Sequence, residues 1–120
     1  MAKILLIEDA EDISAGLSEF LRDEGFEVDR AANGAEALQI LQGAARLPDL
    51  ILLDLMMPVM DGYQFRGAQA ADPRLAGIPF LLMTAGGEIS DKARALGANG
   101  YLRKPFSDLD DILASIRRCL

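Results

Sequence analysis

The sequence of 120 residues contains no histidine and no tryptophan, and its only cysteine is Cys119. Without histidine this chain has no imidazole metal site, no Ser-His-Asp or Cys-His catalysis and no phosphohistidine of its own. A lone cysteine cannot form an intramolecular disulfide, so we expect a cytoplasmic location. Carboxylates, hydroxyls and amines remain as the available chemistry.

Long hydrophobic runs are also missing. Unbroken apolar runs such as 4–7 and 80–83 are far shorter than the roughly 20 residues that a membrane-spanning helix needs. The first residues, Met1-Ala-Lys followed by apolar residues and then acid, do not have the pattern of a signal peptide. We therefore expect no membrane association.

Positive charge is scarce, with 12 basic against 19 acidic residues and a net charge of -7. A phosphate backbone would be repelled by such a surface, so we expect no direct binding to nucleic acid. The composition, 51% hydrophobic and 26% charged, is typical of a globular domain. We expect residues 1–120 to form a single domain.

Short apolar segments alternate with segments of helical periodicity. The continuous runs 4–7, 50–53 and 80–83 are typical of strands buried on both faces of a parallel sheet. The more polar segments 26–30 and 101–103 are typical of edge strands. Each connection is longer than the dozen or so residues that a parallel crossover needs. The pattern predicts an α/β fold, a doubly wound sheet of five parallel strands in the flavodoxin-like (βα)5 order 2-1-3-4-5.

Local signals predict where several helices begin and end. Gly25 is expected to terminate the first helix, Asp61-Gly62 to start the third, and Ser107 to cap the last. Gly67 lies inside the predicted third helix, where a glycine indicates close packing. Only residues 88–96 are available for the fourth helix, which we expect to be short.

Polar residues follow four of the five predicted strands, at the sheet edge where ligands bind in this architecture. They are Glu8-Asp9, Asp54, Thr84-Ala85 and Lys104. Helix capping would explain Glu8 or Asp9 alone, but it does not explain the whole set. Three clustered carboxylates raise one another's pKa unless a metal ion, Lys104 or both compensate their charge.

The available metal ligands are all oxygen atoms, since histidine is missing and the cysteine lies far from these residues in the sequence. Oxygen ligands favour a hard octahedral ion, Mg²⁺ first and Mn²⁺ second. Mg²⁺ usually takes one or two carboxylates and completes its shell with water and phosphate oxygen. The cluster therefore indicates a substrate that carries phosphate.

Four segments, in this order, together resemble the receiver domain of two-component response regulators over essentially the whole chain. They are Glu8-Asp9, residues 54–62 (DLMMPVMDG), Thr84-Ala85 and residues 101–106 (YLRKPF). The resemblance implies a phosphorelay signalling domain, not an enzyme, that catalyses only its own phosphorylation and autodephosphorylation. The implied donor is the phosphohistidine of a sensor histidine kinase or a histidine phosphotransfer protein.

The resemblance also implies a role for each site residue. Asp54 would be the phosphoacceptor and a metal ligand, Asp9 would bind Mg²⁺ directly, Glu8 would act through water, and the Met56 carbonyl would complete the set. Thr84, Ala85 and Lys104 would surround the phosphoryl group. A cis Lys104–Pro105 bond is implied as well.

A switch is implied in which Thr84 moves toward the phosphoryl group and Tyr101 swings from an exposed to a buried position. The affected surface would consist of the fourth helix, the fifth strand and the fifth helix, and would control a downstream protein target. Gly86-Gly87 allows the intervening loop to move. A monomer and a phosphorylation-dependent dimer are both compatible with this scheme, as are a stand-alone regulator and an excised domain.

Two other functions are compatible with part of this pattern. A Mg²⁺-dependent phosphatase of the haloacid-dehalogenase type would need a second acid two residues after the nucleophile, where this chain has Met56. A pure interaction module would use the acidic rim only to bind metal or a partner. Met56 and Gly86 also offer no polar side chain to orient an attacking water, which predicts slow or mainly Mg²⁺-dependent autodephosphorylation.

Overall fold

The computed structural model describes residues 1–106 and 108–120. Strands and helices alternate along the chain. They are β1 (Lys3–Ile7), α1 (Glu11–Asp23), β2 (Glu27–Ala31), α2 (Gly34–Gly43), β3 (Leu50–Asp54), α3 (Gly62–Ala71), β4 (Phe80–Thr84), α4 (Ile89–Leu96), β5 (Gly100–Arg103) and α5 (Leu109–Cys119). The predicted strands are confirmed to within one residue at each end.

The five strands form one parallel sheet in the order β2-β1-β3-β4-β5. The predicted fold class, strand order and edge strands are therefore confirmed. Ile7 pairs with Leu53, Asp54 with Met83, and Thr84 with Arg103. This register brings the carboxyl ends of the four strands β1, β3, β4 and β5 to one edge of the sheet.

Apolar side chains of the inner strands alternate between two cores, one on each face of the sheet. Leu5 and Ile7 pack with residues of α2, α3 and α4, whereas Ile4 and Leu6 pack with residues of α1 and α5. All residues of β3 and β4 are buried. Burying a side chain of this size contributes about 1.5–3 kcal/mol, so the two cores hold the strand ends in place.

Two of the predicted helix signals, at the end of α1 and the start of α3, are confirmed. Gly25 adopts a left-handed φ of 94° just after α1, and Asp61 forms a capping box with Gln64 at the start of α3. Asp108 is the N-cap of α5 and accepts a hydrogen bond from the Asp110 amide. The prediction for Ser107 lies outside the described residues. The Lys104–Pro105 bond is cis, as the resemblance implied, and α4 has only eight residues.

The prediction that Gly67 marks close packing is wrong. Nothing lies within 4 Å of the position that a Cβ would take at Gly67, which is on the exposed side of α3. Close packing occurs instead at Gly62, where a Cβ would overlap the carbonyl oxygen of Asp54 and approach Leu55 Cα to 2.8 Å. The glycine that the fold requires is therefore the one at the start of α3, directly against the end of β3.

This difference predicts opposite effects for two substitutions in the same helix. Gly67→Ala should raise the free energy of unfolding by about 0.5–1 kcal/mol, because alanine loses less backbone entropy and meets no neighbour. Gly62→Ala should lower it by about 1–3 kcal/mol, because the added methyl group pushes against the backbone of β3. Urea unfolding of both variants measures this, and equal effects would contradict the packing described.

Candidate functional site

Three carboxylates meet at the carboxyl ends of β1 and β3. Glu8 and Asp9 follow β1, and Asp54 is the last residue of the adjacent strand β3. One carboxylate oxygen from each of the three lies within 4.8 Å of the others. Glu8 and Asp54 are only 2% and 5% exposed, whereas Asp9 is open to solvent. The sequence prediction that these acids cluster is confirmed by their positions.

Lys104 reaches this cluster from the end of β5, across the intervening strand β4. Its ammonium group donates a short hydrogen bond to Glu8 Oε1 and lies 3.4 Å from Asp54 Oδ2. The Lys104 backbone amide donates to the Thr84 carbonyl (3.0 Å), which fixes the start of the side chain beside β4. The lysine side chain is only 14% exposed, so water screens this ion pair weakly.

The two buried carboxylates respond differently to their shared surroundings. Burial, together with the hydrogen bond and charge of Glu8, raises the pKa of Asp54 to about 7. Burial opposes ionisation of Glu8 too, but hydrogen bonds from Lys104, Asp54 and the Ala10 amide lower the pKa of Glu8 below its ordinary value. The single ammonium group therefore stabilises Glu8 as an anion and leaves Asp54 incompletely compensated.

Thr84 is the last residue of β4, beside Asp54 at the same sheet edge. It is 5% exposed, and its Oγ1 accepts a hydrogen bond from the Gly86 amide (3.2 Å). The hydroxyl thus keeps its own hydrogen to donate to an incoming group. Ala85 is exposed and small, so it leaves open space next to Thr84.

Met56 lies two residues beyond Asp54, in the loop before α3. Its side chain points outward and the residue is 73% exposed. In the part of the chain that the structure describes, the Met56 carbonyl accepts no hydrogen bond, whereas the neighbouring Leu55 carbonyl accepts one from the Gly62 amide (2.9 Å). The Met56 carbonyl is therefore available as a ligand.

The donor set fits a hard divalent cation. It consists of three carboxylates and one available carbonyl, which are the oxygen ligands that Mg²⁺ prefers. Lys104 supplies one positive charge to the three acids, so negative charge remains uncompensated when all three are ionised. A divalent cation held by Glu8, Asp9, Asp54 and the Met56 carbonyl would supply the rest.

Both loops beside the site contain a non-glycine residue in the left-handed backbone region. Val59 has a φ of 67° in the loop after β3, and Glu88 has a φ of 57° just before α4. Such conformations cost about 1–3 kcal/mol and cluster at functional sites. The sequence suggested Gly86-Gly87 as the special backbone in the second loop, but the positive φ occurs at Glu88.

Sequence reasoning missed Lys92 on α4. Its Nζ lies 3.2 Å from the place that a Cβ at Gly86 would occupy, and Thr84 Oγ1 lies 3.6 Å from the same place. Because Gly86 has no side chain, the sequence contains no indication of a polar group at this position beside Thr84. Only the path of the loop and of α4 reveals that a lysine six residues later fills it.

Tyr101 lies on the edge strand β5, where it pairs with Leu82 of β4. It is 43% exposed, which is the starting position that the implied switch requires. Its neighbour Leu102 is buried, so the strand presents alternate residues to solvent and to the core.

Comparison with known proteins assigns the class. The family model for the response regulator receiver domain matches residues 4–117, so the chain belongs to that family. It is a receiver domain of two-component signalling, the class of domain that accepts phosphoryl groups on aspartate. The resemblance drawn from the sequence is confirmed.

Particular relatives agree in fold over the whole chain. The structure of the chemotaxis response regulator CheY4 of Vibrio cholerae has a TM-score of 0.89 and 37% identity, covering 100% of this chain and 99% of that one. The structure of the response regulator TrrA from Thermotoga maritima in complex with Mg(2+)-BeF has a TM-score of 0.84 and 30% identity, covering 100% of both chains.

Curated relatives include longer proteins. The DNA-binding dual master transcriptional regulator RpaA of Synechocystis is 41% identical over 123 residues, which are 100% of this chain and 49% of that protein. This chain thus spans about half the length of such relatives. The expectation of no contact with nucleic acid does not fit a full-length regulator of that kind and applies only to the surface of these residues.

The raised pKa of Asp54 predicts a pH dependence of stability in the metal-free protein. Between its unfolded value of 3.8 and about 7, the folded state holds a proton that the unfolded state has lost. Stability from this group therefore falls as pH rises through that window, by at most about 1.4 kcal/mol per pH unit. Asp54→Asn should remove this fall, so the variant should gain stability over wild type from pH 5 to pH 8.

Chemical unfolding at a series of pH values measures the difference. Glu19→Gln is the control, because Glu19 is an exposed carboxylate in the middle of α1. A difference between Asp54→Asn and wild type that stays constant with pH would contradict the electrostatics described above.

Proposed function

We propose that this chain accepts a phosphoryl group on Asp54 from a phosphohistidine and transmits the change to a protein target. The observation that carries this proposal is the buried Asp54 carboxylate at the end of β3, between two further acids and the Lys104 ammonium. The donor would be a sensor histidine kinase or a histidine phosphotransfer protein. We further propose that residues 1–120 act as one receiver domain in the cytoplasm. Among the described residues, no helix has both the length and the apolar character needed to cross a membrane.

In the transfer step, an Oδ atom of Asp54 forms a bond to phosphorus while the N–P bond of the phosphohistidine breaks. The electron pair of that bond returns to the imidazole of the donor, so no acid on this chain is needed for the leaving group. The product is an aspartyl phosphate. Attack requires the Asp54 anion and relief of its repulsion with the phosphoryl oxygens.

The surrounding residues provide that relief. When bound, Mg²⁺ supplies positive charge that favours the Asp54 anion and neutralises the phosphoryl oxygens. Lys104 pairs with the developing charge, since its ammonium already lies 3.4 Å from Asp54 Oδ2. Thr84 donates its hydroxyl hydrogen to a phosphoryl oxygen, and Ala85 leaves room for the group beside it. Groups fixed in this way before the reaction are the main source of charge stabilisation in such sites.

A phosphatase is the weaker candidate. Hydrolysis of varied phosphoesters needs a general acid for the leaving alkoxide, and the residue two positions after Asp54 is Met56, whose exposed side chain cannot donate a proton. The site is therefore suited to hold a phosphoryl group and not to turn over many substrates. The domain would catalyse only its own phosphorylation and dephosphorylation.

The output would be a change in the surface formed by α4, β5 and α5. The Thr84 hydroxyl accepts a hydrogen bond from the Gly86 amide and keeps its own hydrogen, which a phosphoryl oxygen beside Asp54 would accept and so draw Thr84 toward it. Moving Thr84 toward the phosphoryl group would open space for Tyr101 to turn inward from its exposed position. A downstream protein, or a second phosphorylated copy, would recognise the altered surface.

Phosphorylation of Asp54 can be tested by measuring the intact mass of the protein. Incubation of wild type with Mg²⁺ and acetyl phosphate should add one phosphoryl group to the intact mass, and Asp54→Asn should add none. Asp61→Asn is the matched control, because Asp61 is an aspartate of the same segment that caps α3 and lies outside the cluster. Equal labelling of wild type and Asp54→Asn would move the acceptor elsewhere, and no labelling of wild type would favour a pure interaction module.

The switch predicts a local change in amide hydrogen exchange. Phosphorylation should alter exchange in α4 and β5 by several-fold, while the edge strand β2 on the far side of the sheet should not change. Tyr101→Phe keeps the ring that would be buried and should respond like wild type, whereas Tyr101→Ala should respond less. Unchanged exchange in α4 and β5 of the phosphorylated wild type would contradict the proposed output surface.

A further inference from the structure

The Lys92 ammonium lies close to Gly86, in the loop that follows Thr84. A Cβ at position 86 would lie 3.2 Å from the Lys92 ammonium nitrogen and 3.6 Å from Thr84 Oγ1. Because Gly86 has no side chain, the Lys92 ammonium can occupy the space near the Thr84 hydroxyl. Thr84 is the residue that would contact the phosphoryl group, so Lys92, a residue of α4, lies near the site.

Lys92 differs from the other lysines beside carboxylates. Lys104 pairs with Glu8 and Asp54, and Lys3 pairs with Asp29. Within residues 1–106 and 108–120, the Lys92 ammonium has neither a carboxylate within 4 Å nor a hydrogen-bond acceptor. The nearest acid in sequence, Asp91, lies 3.6 Å from Arg94 instead. Lys92 is a partly exposed residue, and an ammonium without an anionic partner is available to bind an anion.

We infer that Lys92 is a second phosphoryl-binding cation, which reaches the phosphoryl group past Thr84 and couples α4 to it. This inference rests on the proposed function. An aspartyl phosphate adds about 1.5 to 2 negative charges where one carboxylate stood. Lys104 already serves two carboxylates, so the added charge attracts the unpaired ammonium of Lys92. Because lysine is a flexible point charge, it can follow a phosphoryl oxygen without a fixed geometry.

The consequence is a direct link between the site and α4. Lys92 lies on the same helix as the buried residues Ile89 and Ala93, so a pull on its ammonium acts on the helix that they anchor. Gly86 is then required for its small size, since a methyl group there would displace the ammonium. The displaced atom is the end of a flexible side chain, so Gly86→Ala should fold normally.

The test measures the affinity of the Mg²⁺-loaded protein for beryllofluoride, a phosphoryl analogue. Lys92→Met should weaken binding about fivefold, the effect of losing one charge-assisted contact. Arg94→Met removes the same charge from the exposed face of α4 and should change binding less than about twofold. Lys92→Arg should restore most of the affinity, because it returns the cation. Thermal unfolding of each variant verifies that it is folded.

A glycine pair tests the same geometry without touching the lysine. Gly86→Ala should weaken beryllofluoride binding as Lys92→Met does. Gly87→Ala should not, because nothing lies within 4 Å of a Cβ at position 87. The ¹⁵N signal of the Lys92 ammonium should also shift when beryllofluoride is added, a response that a purely structural lysine would not give.

The outcomes separate the two proposals. If wild type is phosphorylated on Asp54 but Lys92→Met binds beryllofluoride as wild type does and the Lys92 signal stays fixed, the inference about Lys92 is wrong. If wild type neither binds beryllofluoride nor takes a phosphoryl group, the proposed function itself fails.

Discussion

The contact between the Lys104 ammonium and the two buried carboxylates, Glu8 and Asp54, is the interaction on which the site depends. Two anions this close in a poorly hydrated place would repel each other strongly. The ammonium lowers the pKa of both carboxylates, but burial and the charge of Glu8 still raise the pKa of Asp54. Asp54 is therefore the carboxylate whose anionic form further positive charge would favour.

The register of the sheet is what makes this arrangement possible. Glu8 and Asp54 extend from neighbouring strands, and Lys104 must cross β4 to reach them. Gly62 permits the start of α3 to press against the carbonyl of Asp54, and the Asp61–Gln64 capping box holds that helix end in place. A shift of one residue in any of these strands would move the charges to different faces of the sheet. The two apolar cores thus support the chemistry at the edge.

Most of the fold and of the candidate site could be predicted from the sequence, because the strand pattern and the residues that follow the strands are distinctive in this chain. Continuous apolar runs indicate strands buried on both faces, and residues just beyond parallel strands must meet at one edge, which is why Glu8, Asp54, Thr84 and Lys104 could be grouped in advance. Prediction from the sequence failed where the outcome depends on three-dimensional distance. Gly67 and Gly62 occur in the same helix, and only the packing distinguishes the exposed glycine from the one that the fold requires.

The same limit explains why Lys92 was missed. Its approach to Gly86 depends on the path of the loop after β4, including the left-handed backbone of Glu88, and on the pitch of a short helix. No periodicity or motif in the sequence encodes that distance. The raised pKa of Asp54 could not be predicted from the sequence either. It follows from burial and from the sharing of Lys104 between two carboxylates, and residue types alone show neither.

The most direct test of this account is the carboxyl titration of Asp54 and Glu8 in the metal-free protein, followed by ¹³C nuclear magnetic resonance. The pKa of Asp54 should be raised to about 7, and the pKa of Glu8 should lie below its ordinary value. Adding Mg²⁺ should lower the pKa of Asp54. Two ordinary carboxyl titrations that do not respond to Mg²⁺ would contradict this account.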